Sequence, residues 1–327
     1  MNVLVTGGAG FLGAYVMAAL EAAGHSAFAY DVAPPTPDLL AVSPSLTSNF
    51  RPGQIGDIAR LFDVCGAEKI EAIVHAAGVV GLETSLMQPV ATYHTNIMGL
   101  VNVCEAVRQL PMRKVISISS NAAYHKGSGE SLVETDPPFS VRNGNPAGHY
   151  GTSKMAGEAI GLAYATFQEV DFLSLRVTAI YGFGMRSPMY IKPMVENAVG
   201  GVPTHFATGG PMKRDYTHVF DCCDAIVLAL NAPRRAAGEQ RVLNIAAGKA
   251  CTAAEVAETV RKVIPGASIE IGDTLTPLEA QNVKMRAPLD VAAAKRLLGW
   301  SPKWPLEAGI RQYAERYRKY IEGTRTN

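Results

Sequence analysis

The chain opens Met1-Asn2-Val3-Leu4-Val5-Thr6-Gly7-Gly8-Ala9-Gly10-Phe11-Leu12-Gly13, an apolar strand that runs into a glycine-spaced turn. Val3, Leu4 and Val5 have the continuous apolar character of a strand buried on both faces of a parallel sheet. Gly7, Gly10 and Gly13 permit a tight turn, a close backbone approach and close helix packing. From Phe11 and Leu12 to Ala23 the pattern is helical, so the amino terminus of that helix would face whatever the turn holds. Free backbone N–H groups and the helix dipole there suit a pyrophosphate. A glycine triplet alone carries little information; the strand before it and the helix after it give it meaning.

Ala27 to Tyr30 read as the second strand, and Asp31 closes it 18 residues after Gly13. A carboxylate at that place accepts hydrogen bonds from both ribose hydroxyls of a dinucleotide and repels a 2′-phosphate. The first basic residue after it is Arg51, so the expected cofactor is NAD rather than NADP. A net charge of +1 gives no electrostatic reason to expect nucleic acid or an anionic membrane as partner. No apolar run reaches membrane-spanning length, and a first strand at residue 3 leaves no room for a signal peptide. Five Cys (65, 104, 222, 223 and 251) show no metal-ligand spacing, so no metal is expected. Reduced thiols in a cytoplasmic protein are the expectation, with Cys222 and Cys223 in a helix.

At 327 residues the chain can form one large α/β unit and a smaller lobe. Residues 70–75, 114–119 and 172–177 read as further parallel strands, with helices over 89–109 and 153–168 between them. This alternation predicts an α/β fold, a Rossmann-type doubly wound parallel sheet. Two segments break the rhythm. Residues 125–148, rich in Gly, Pro, Ser and Asn, read as a loop near the active face. Residues 182–213 are similar, with a short helix over 191–199.

Tyr150 and Lys154 stand four apart at the start of a predicted helix, so their side chains share one face. A phenol with a pKa of roughly 10 is a poor acid–base group at neutral pH. A neighbouring ammonium and a positively charged nicotinamide would both favour the phenolate and lower that pKa. Of the twelve Tyr, only Tyr150 has Lys four residues on. Ser120 closes the fourth strand read from the sequence, at the sheet edge where ligands gather in such folds. Its hydroxyl could bind a substrate oxygen and orient it toward Tyr150.

Taken together, the sequence resembles the extended short-chain dehydrogenase/reductase family, in its NAD-dependent epimerase/dehydratase branch. The resemblance runs almost end to end. It is carried by the glycine turn, Asp31, Asp57-Ile58, His75-Ala76-Ala77-Gly78, Asn96, Ser119 to Tyr124 and Tyr150-Gly151-Thr152-Ser153-Lys154. Arg176 with Tyr181-Gly182, Arg214 to Asp221, Asn244-Ile245-Ala246 and Leu298 to Pro302 extend it. It implies that Asp57 and Ile58 flank the adenine and that Ala76, Ala77 and Gly78 line the dinucleotide. Asn96 would hold the backbone near Lys154, and Lys154 would also bind the nicotinamide ribose. Tyr150 would be the acid–base residue with Ser120 its partner, both meeting substrate together with Asn121. Arg214 matches an arginine that binds substrate phosphates in sugar-nucleotide members; the alternative for it is a salt bridge with Asp215 or Asp221. Asp221 would cap the following helix, and His218 would be structural.

The same resemblance implies an NAD-binding domain over 1–177, with about 216–247 returning to it. A smaller, mostly helical C-terminal substrate lobe would comprise 178–215 and 248–327. The helices at about 89–109 and 151–168 resemble those of a four-helix interface, which implies a homodimer. Some features depart from the family. Dehydratases carry an acidic pair after the catalytic hydroxyl, where this chain has Asn121 and Ala122, so dehydration is not expected. Sugar-nucleotide members often have an Asn before the Tyr-Gly turn, where Ala179 cannot make that phosphate hydrogen bond. The loop from His125 to His149 is longer and more polar than the family suggests, with room to reshape the pocket.

The first expectation is therefore a nucleotide-sugar epimerase working through a keto intermediate. The second is a dehydrogenase of a non-nucleotide polyol, sugar acid or other hydroxy compound, with NAD as a dissociable co-substrate. The third is a non-catalytic NAD-binding protein, disfavoured by the presence of Ser120, Tyr150 and Lys154 together.

Overall fold

Alternating burial on the first strand sets the architecture. Val3 and Val5 join one apolar cluster, while Leu4 joins another on the opposite face. A strand buried on both faces must lie inside a sheet covered by helices on both sides. In the computed structural model, which describes residues 1–125, 130–142, 144–284 and 287–325, that is what forms. The strands are β1 (Asn2–Thr6), β2 (Ser26–Asp31), β3 (Phe50–Pro52), β4 (Ala72–His75), β5 (Lys114–Ser120), β6 (Phe172–Val177), β7 (Thr204–Phe206), β8 (Lys213–Arg214), β9 (Val242–Ile245), β10 (Cys251–Thr252) and β11 (Ile269–Ile271).

Seven of them make one sheet in the order β3-β2-β1-β4-β5-β6-β9, every neighbouring pair parallel. Order reverses between β1 and β4, and a crevice at that switch, beyond the carboxyl ends of the strands, is where a doubly wound sheet binds ligands. β8 pairs antiparallel with β10, and β7 pairs parallel with β11, as two small separate sheets.

The five strands read from the sequence are all present, with β4 starting at Ala72 rather than residue 70. β3 is too short to show a pattern, and its presence makes the Ser120 strand the fifth in chain order, not the fourth. The helix expected over 89–109 is interrupted. It runs Pro89–Tyr93, then a π turn over His94–Met98, then Gly99–Gln109. The helix bearing Tyr150 starts earlier than expected, at Gly148, and ends at Phe167. Cys222 and Cys223 lie buried in the Val219–Asn231 helix, and all five cysteines are free thiols.

The segment 125–148 is a loop up to this helix, although 126–129 and 143 lie outside the described residues. Asn145 pins it down: its amide donates to the carbonyls of Ala122, Ala123 and Pro138 at 3.0, 3.2 and 2.9 Å. Among the described residues no helix is long and apolar enough to cross a membrane.

Candidate active site

Close packing creates the glycine turn. A Cβ on Gly13 would lie 2.1 Å from the Gly7 carbonyl oxygen, and one on Gly7, whose φ is +70°, would lie 2.7 Å from Ala77 N. The turn therefore sits directly against the end of β4, where Ala76, Ala77 and Gly78 follow. Ala76 N donates to Thr6 O, and Ala77 N donates to Thr6 Oγ1 at 3.3 Å. The Phe11–Ala22 helix starts from Gly10, which offers no side-chain cap. Its first N–H groups, those of Phe11, Leu12 and Gly13, lack partners within the helix. With no acidic residue in that first turn, an anionic group is the fitting occupant.

Asp31 stands where the sequence placed it, at the end of β2. Its carboxylate accepts from Ala9 N of the turn at 3.2 Å and from Val32 N at 2.8 Å. Burial raises its pKa, opposed by these backbone N–H groups. Arg51 is occupied by Glu68 at 2.6 Å. Asp57 caps the Ile58–Ala67 helix, accepting from Arg60 N at 3.0 Å, with Ile58 exposed beside it. Turn, carboxylate and open helix terminus together fit a dinucleotide with free ribose hydroxyls.

The candidate reacting groups converge beyond the end of β5. The neighbouring Ser120 hydroxyl favours the Tyr150 phenolate, but burial outweighs it and raises the Tyr150 pKa. Lys154 Nζ lies 5.9 Å from the Tyr150 ring centroid and donates to Ile118 O at 2.8 Å. In the chain alone burial sets the direction for both groups: it keeps the Tyr150 pKa raised and brings the Lys154 ammonium down to about 8, with Glu158 opposing. Ser120 Oγ also accepts from Ala122 N at 3.1 Å and donates to Asn121 Oδ1 at 3.3 Å, so Asn121 joins the group.

Asn96 occupies the π turn, an element that recurs at functional sites. It donates to Val79 O at 3.0 Å and to Ser153 Oγ at 2.9 Å, and accepts from Val79 N at 2.8 Å. This clamps the backbone after Gly78 next to Lys154: a Cβ on Gly78 would lie 3.0 Å from Asn96 Oδ1 and 3.7 Å from Lys154 Nζ.

Arg214 ends β8 and is half-buried, with Tyr190 and Tyr216 as its electrostatic neighbours. It forms no salt bridge with Asp215 or Asp221 among the described residues. Its Nη1 is buried without a hydrogen-bond partner there, and a buried unpaired guanidinium nitrogen calls for an acceptor. Asp215 instead accepts from Gly248 N and Leu289 N at 3.2 and 3.1 Å. Asp221 does not cap its helix as expected. His218 is the N-cap, accepting from Phe220 N through Nδ1, and Asp221 accepts from Lys303 N and Trp304 N at 2.7 and 3.2 Å. His218 is fully buried, stacked on Trp304 at 4.7 Å, in keeping with its structural reading. Ala179 has φ +37°, a left-handed backbone that Asn adopts readily and Ala does not.

Sequence reasoning missed Glu158. It lies one turn beyond Lys154 and is bonded through both oxygens to buried Arg176, at 2.9 and 2.6 Å. The repeat Tyr150, Lys154, Glu158 on one helical face was the available signal.

This all-parallel sheet, with an open glycine turn at its switch point and a Ser–Tyr–Lys group beyond it, is the architecture of an NAD-dependent enzyme of the extended short-chain dehydrogenase/reductase class. Residues 3–246 match the NAD dependent epimerase/dehydratase family, and the chain belongs to that family. It is 29% identical to the UDP-glucose 4-epimerase of Mycolicibacterium smegmatis, over 97% of this chain and 99% of that one. Identity is 24% with UDP-glucuronate 4-epimerase 3 of Arabidopsis thaliana, over 98% of this chain and 77% of that one. Among solved structures, the UDP-glucose 4-epimerase of Thermus thermophilus in complex with NAD superposes with a TM-score of 0.80 at 25% identity, covering 97% of this chain and 99% of that chain.

Proposed function

We propose that the protein epimerises a nucleotide sugar at a hydroxyl-bearing carbon, C4 of a UDP-hexose or UDP-hexuronate, with NAD held throughout the cycle. The observation that carries this is the Ser120–Tyr150–Lys154 group together with the unpartnered Arg214 Nη1, in a chain that has 4-epimerases among its full-length relatives. Bound NAD supplies a reversible hydride acceptor. Ser120 holds the substrate hydroxyl, and the Tyr150 phenolate removes its proton as the carbon is oxidised to a ketone. Tyr150 returns that proton when hydride comes back to the opposite face of the turned sugar ring. Lys154 supports the phenolate and the nicotinamide ribose, Asn96 fixes the backbone beside it, and Asn121 contacts the sugar.

Gly7, Gly10, Phe11, Leu12 and Gly13 would receive the pyrophosphate and Asp31 the ribose. Asp57 and Ile58 would flank the adenine, while Ala76, Ala77 and Gly78 would line the dinucleotide. Arg214 would take the substrate phosphates.

Residues 1–177, with about 216–247, would form the NAD-binding domain; β9 returning beside β6 supports this. Residues 178–215 and 248–327 would form the substrate lobe. A homodimer through the Gly99–Gln109 and Gly148–Phe167 helices would cover Phe167, which is 77% exposed. Free thiols throughout suit a cytoplasmic protein. Incubating the protein with UDP-glucose or UDP-glucuronate should give the C4 epimer without accumulating NADH; no epimer from any nucleotide sugar would refute the proposal.

Ala179 favours a second reading. With a methyl group where an amide could reach a phosphate, the site also suits a dehydrogenase of a non-nucleotide hydroxy compound. That reading requires steady NADH formation with such an alcohol.

A further inference from the structure

Glu158 is joined to the reacting group from behind. It shares a helical face with Tyr150 and Lys154 at successive turns. Its Oε1 accepts from Ser119 Oγ at 2.6 Å and from Arg176 Nε at 2.9 Å, and its Oε2 accepts from Arg176 Nη2 at 2.6 Å. Ser119 immediately precedes Ser120 on β5, and Ile118, one residue earlier, receives Lys154 Nζ. A single carboxylate thus fastens the helix bearing Tyr150 and Lys154 to the strand end bearing Ser120. The Glu158 and Arg176 side chains are only 7% and 6% exposed. An apolar contact would hold helix to sheet at least as well, so a buried ion pair here suggests a task beyond stability.

The arrangement continues away from the site. The Arg176 guanidinium stacks 4.3 Å over the Tyr124 ring and donates to Glu134 O at 3.2 Å. Tyr124 Oη donates to Asn244 Oδ1 at 2.7 Å, and the Asn244 amide donates to Leu132 O and Asp290 O, both at 3.0 Å. Glu158 is therefore held from β5, β6 and, through Arg176, from β9 and the segment around Asp290.

We propose that Glu158 is a positioning residue, which fastens the strand end bearing Ser120 to the helix bearing Tyr150 and Lys154 and sets a carboxylate one turn from Lys154. The role rests on the catalytic reading above. Among the described residues, the groups that face Lys154 are Tyr150 and Glu158 on its own helix and His75 at the end of β4. Tyr150 and His75 are neutral near pH 7, the latter held down to about 3 by burial. Arg176 is locked to Glu158. The carboxylate is the negative charge that opposes the burial of Lys154.

The test is ¹³C-methyl NMR of the reductively methylated protein, with the Lys154 signal assigned by its loss in Lys154→Arg. In Glu158→Gln the Lys154 titration midpoint should fall by about one pH unit. The alkaline limb of kcat for C4 epimerisation should move with it while KM stays within about twofold, and Glu158→Asp should restore most of the wild-type profile. A folded Glu158→Gln variant with unchanged midpoint, and a kcat lowered equally at every pH, would overturn the proposal. Should Glu158→Gln fail to fold, Ser119→Ala, which removes the hydrogen bond fastening Glu158 to β5, is read instead: kcat should fall with KM within about twofold, and a wild-type kcat there is equally fatal. If the wild-type protein epimerises no nucleotide sugar, the functional reading fails, while the NMR titration still decides the role of Glu158.

Discussion

At the residue scale, the site depends on groups that do opposite things with charge. Under the proposed function Tyr150 would lose a proton in surroundings that keep it neutral, so its activation would depend on Ser120, on Lys154 and on the cationic nicotinamide. Tyr150→Phe keeps the packing and removes the proton acceptor. Epimerisation should fall by about 10²–10⁴-fold, with NAD affinity measured by calorimetry changed little. His75 and His218 are buried and held neutral, by burial first, down to about 3 and about 4 from 6.5. Between the ordinary and the folded value the unfolded chain binds a proton that the folded chain refuses, so stability falls as pH drops below about 6.5. Thermal melts from pH 7 to 4 should show this slope, and it should flatten in His75→Asn; an equal slope in that variant would acquit His75.

At the element scale, glycines decide how closely helices approach the sheet. A Cβ on Gly161 would meet the Phe172 ring at 2.1 Å, and that ring is wholly buried in β6. Gly161→Ala gains helix propensity but overpacks this contact, for a net loss of about 1–3 kcal/mol by chemical denaturation. Gly13→Ala would drive a methyl into the Gly7 carbonyl and should cost NAD binding at least about tenfold, whatever stability remains. Elements built on short spacings were legible in the sequence. The glycine turn, Asp31 and the Tyr150–Lys154 pair each follow from residues at fixed offsets within one strand, turn or helix. The π turn under Asn96 was not, because a helical pattern conceals one inserted residue. Nor was the role of Asp221, whose N–H partners at Lys303 and Trp304 lie some eighty residues away in sequence, nor Glu158, whose partners come from two strands.

At the scale of the whole molecule, the residues proposed for the cofactor lie, Lys154 apart, in the first hundred positions, while those proposed for substrate come from distant segments. Ser120 and Tyr150 arrive on successive elements around a long polar loop. Arg214 arrives on β8, held in place by β10. This separation explains why cofactor identity was readable from local sequence and substrate identity was not: under the proposed function the latter would depend on how Arg214 and Ala179 are disposed around a molecule, a long-range property. The left-handed Ala179 retains the backbone of a polar residue without its amide. Ala179→Asn should relieve strain of about 1 kcal/mol and, in a nucleotide-sugar enzyme, lower KM for the UDP-sugar; a raised KM would speak for the non-nucleotide reading.

The central claim is that hydride leaves the substrate and returns to it within one bound complex. The most direct measurement follows a UDP-sugar carrying deuterium at C4, incubated with the protein and excess unlabelled NADH. Hydride return from the bound cofactor predicts an epimer that keeps its deuterium at C4, with no label in the NADH pool and no net NADH formed. Loss of deuterium to the pool, or steady formation of NADH with no epimer, would contradict it.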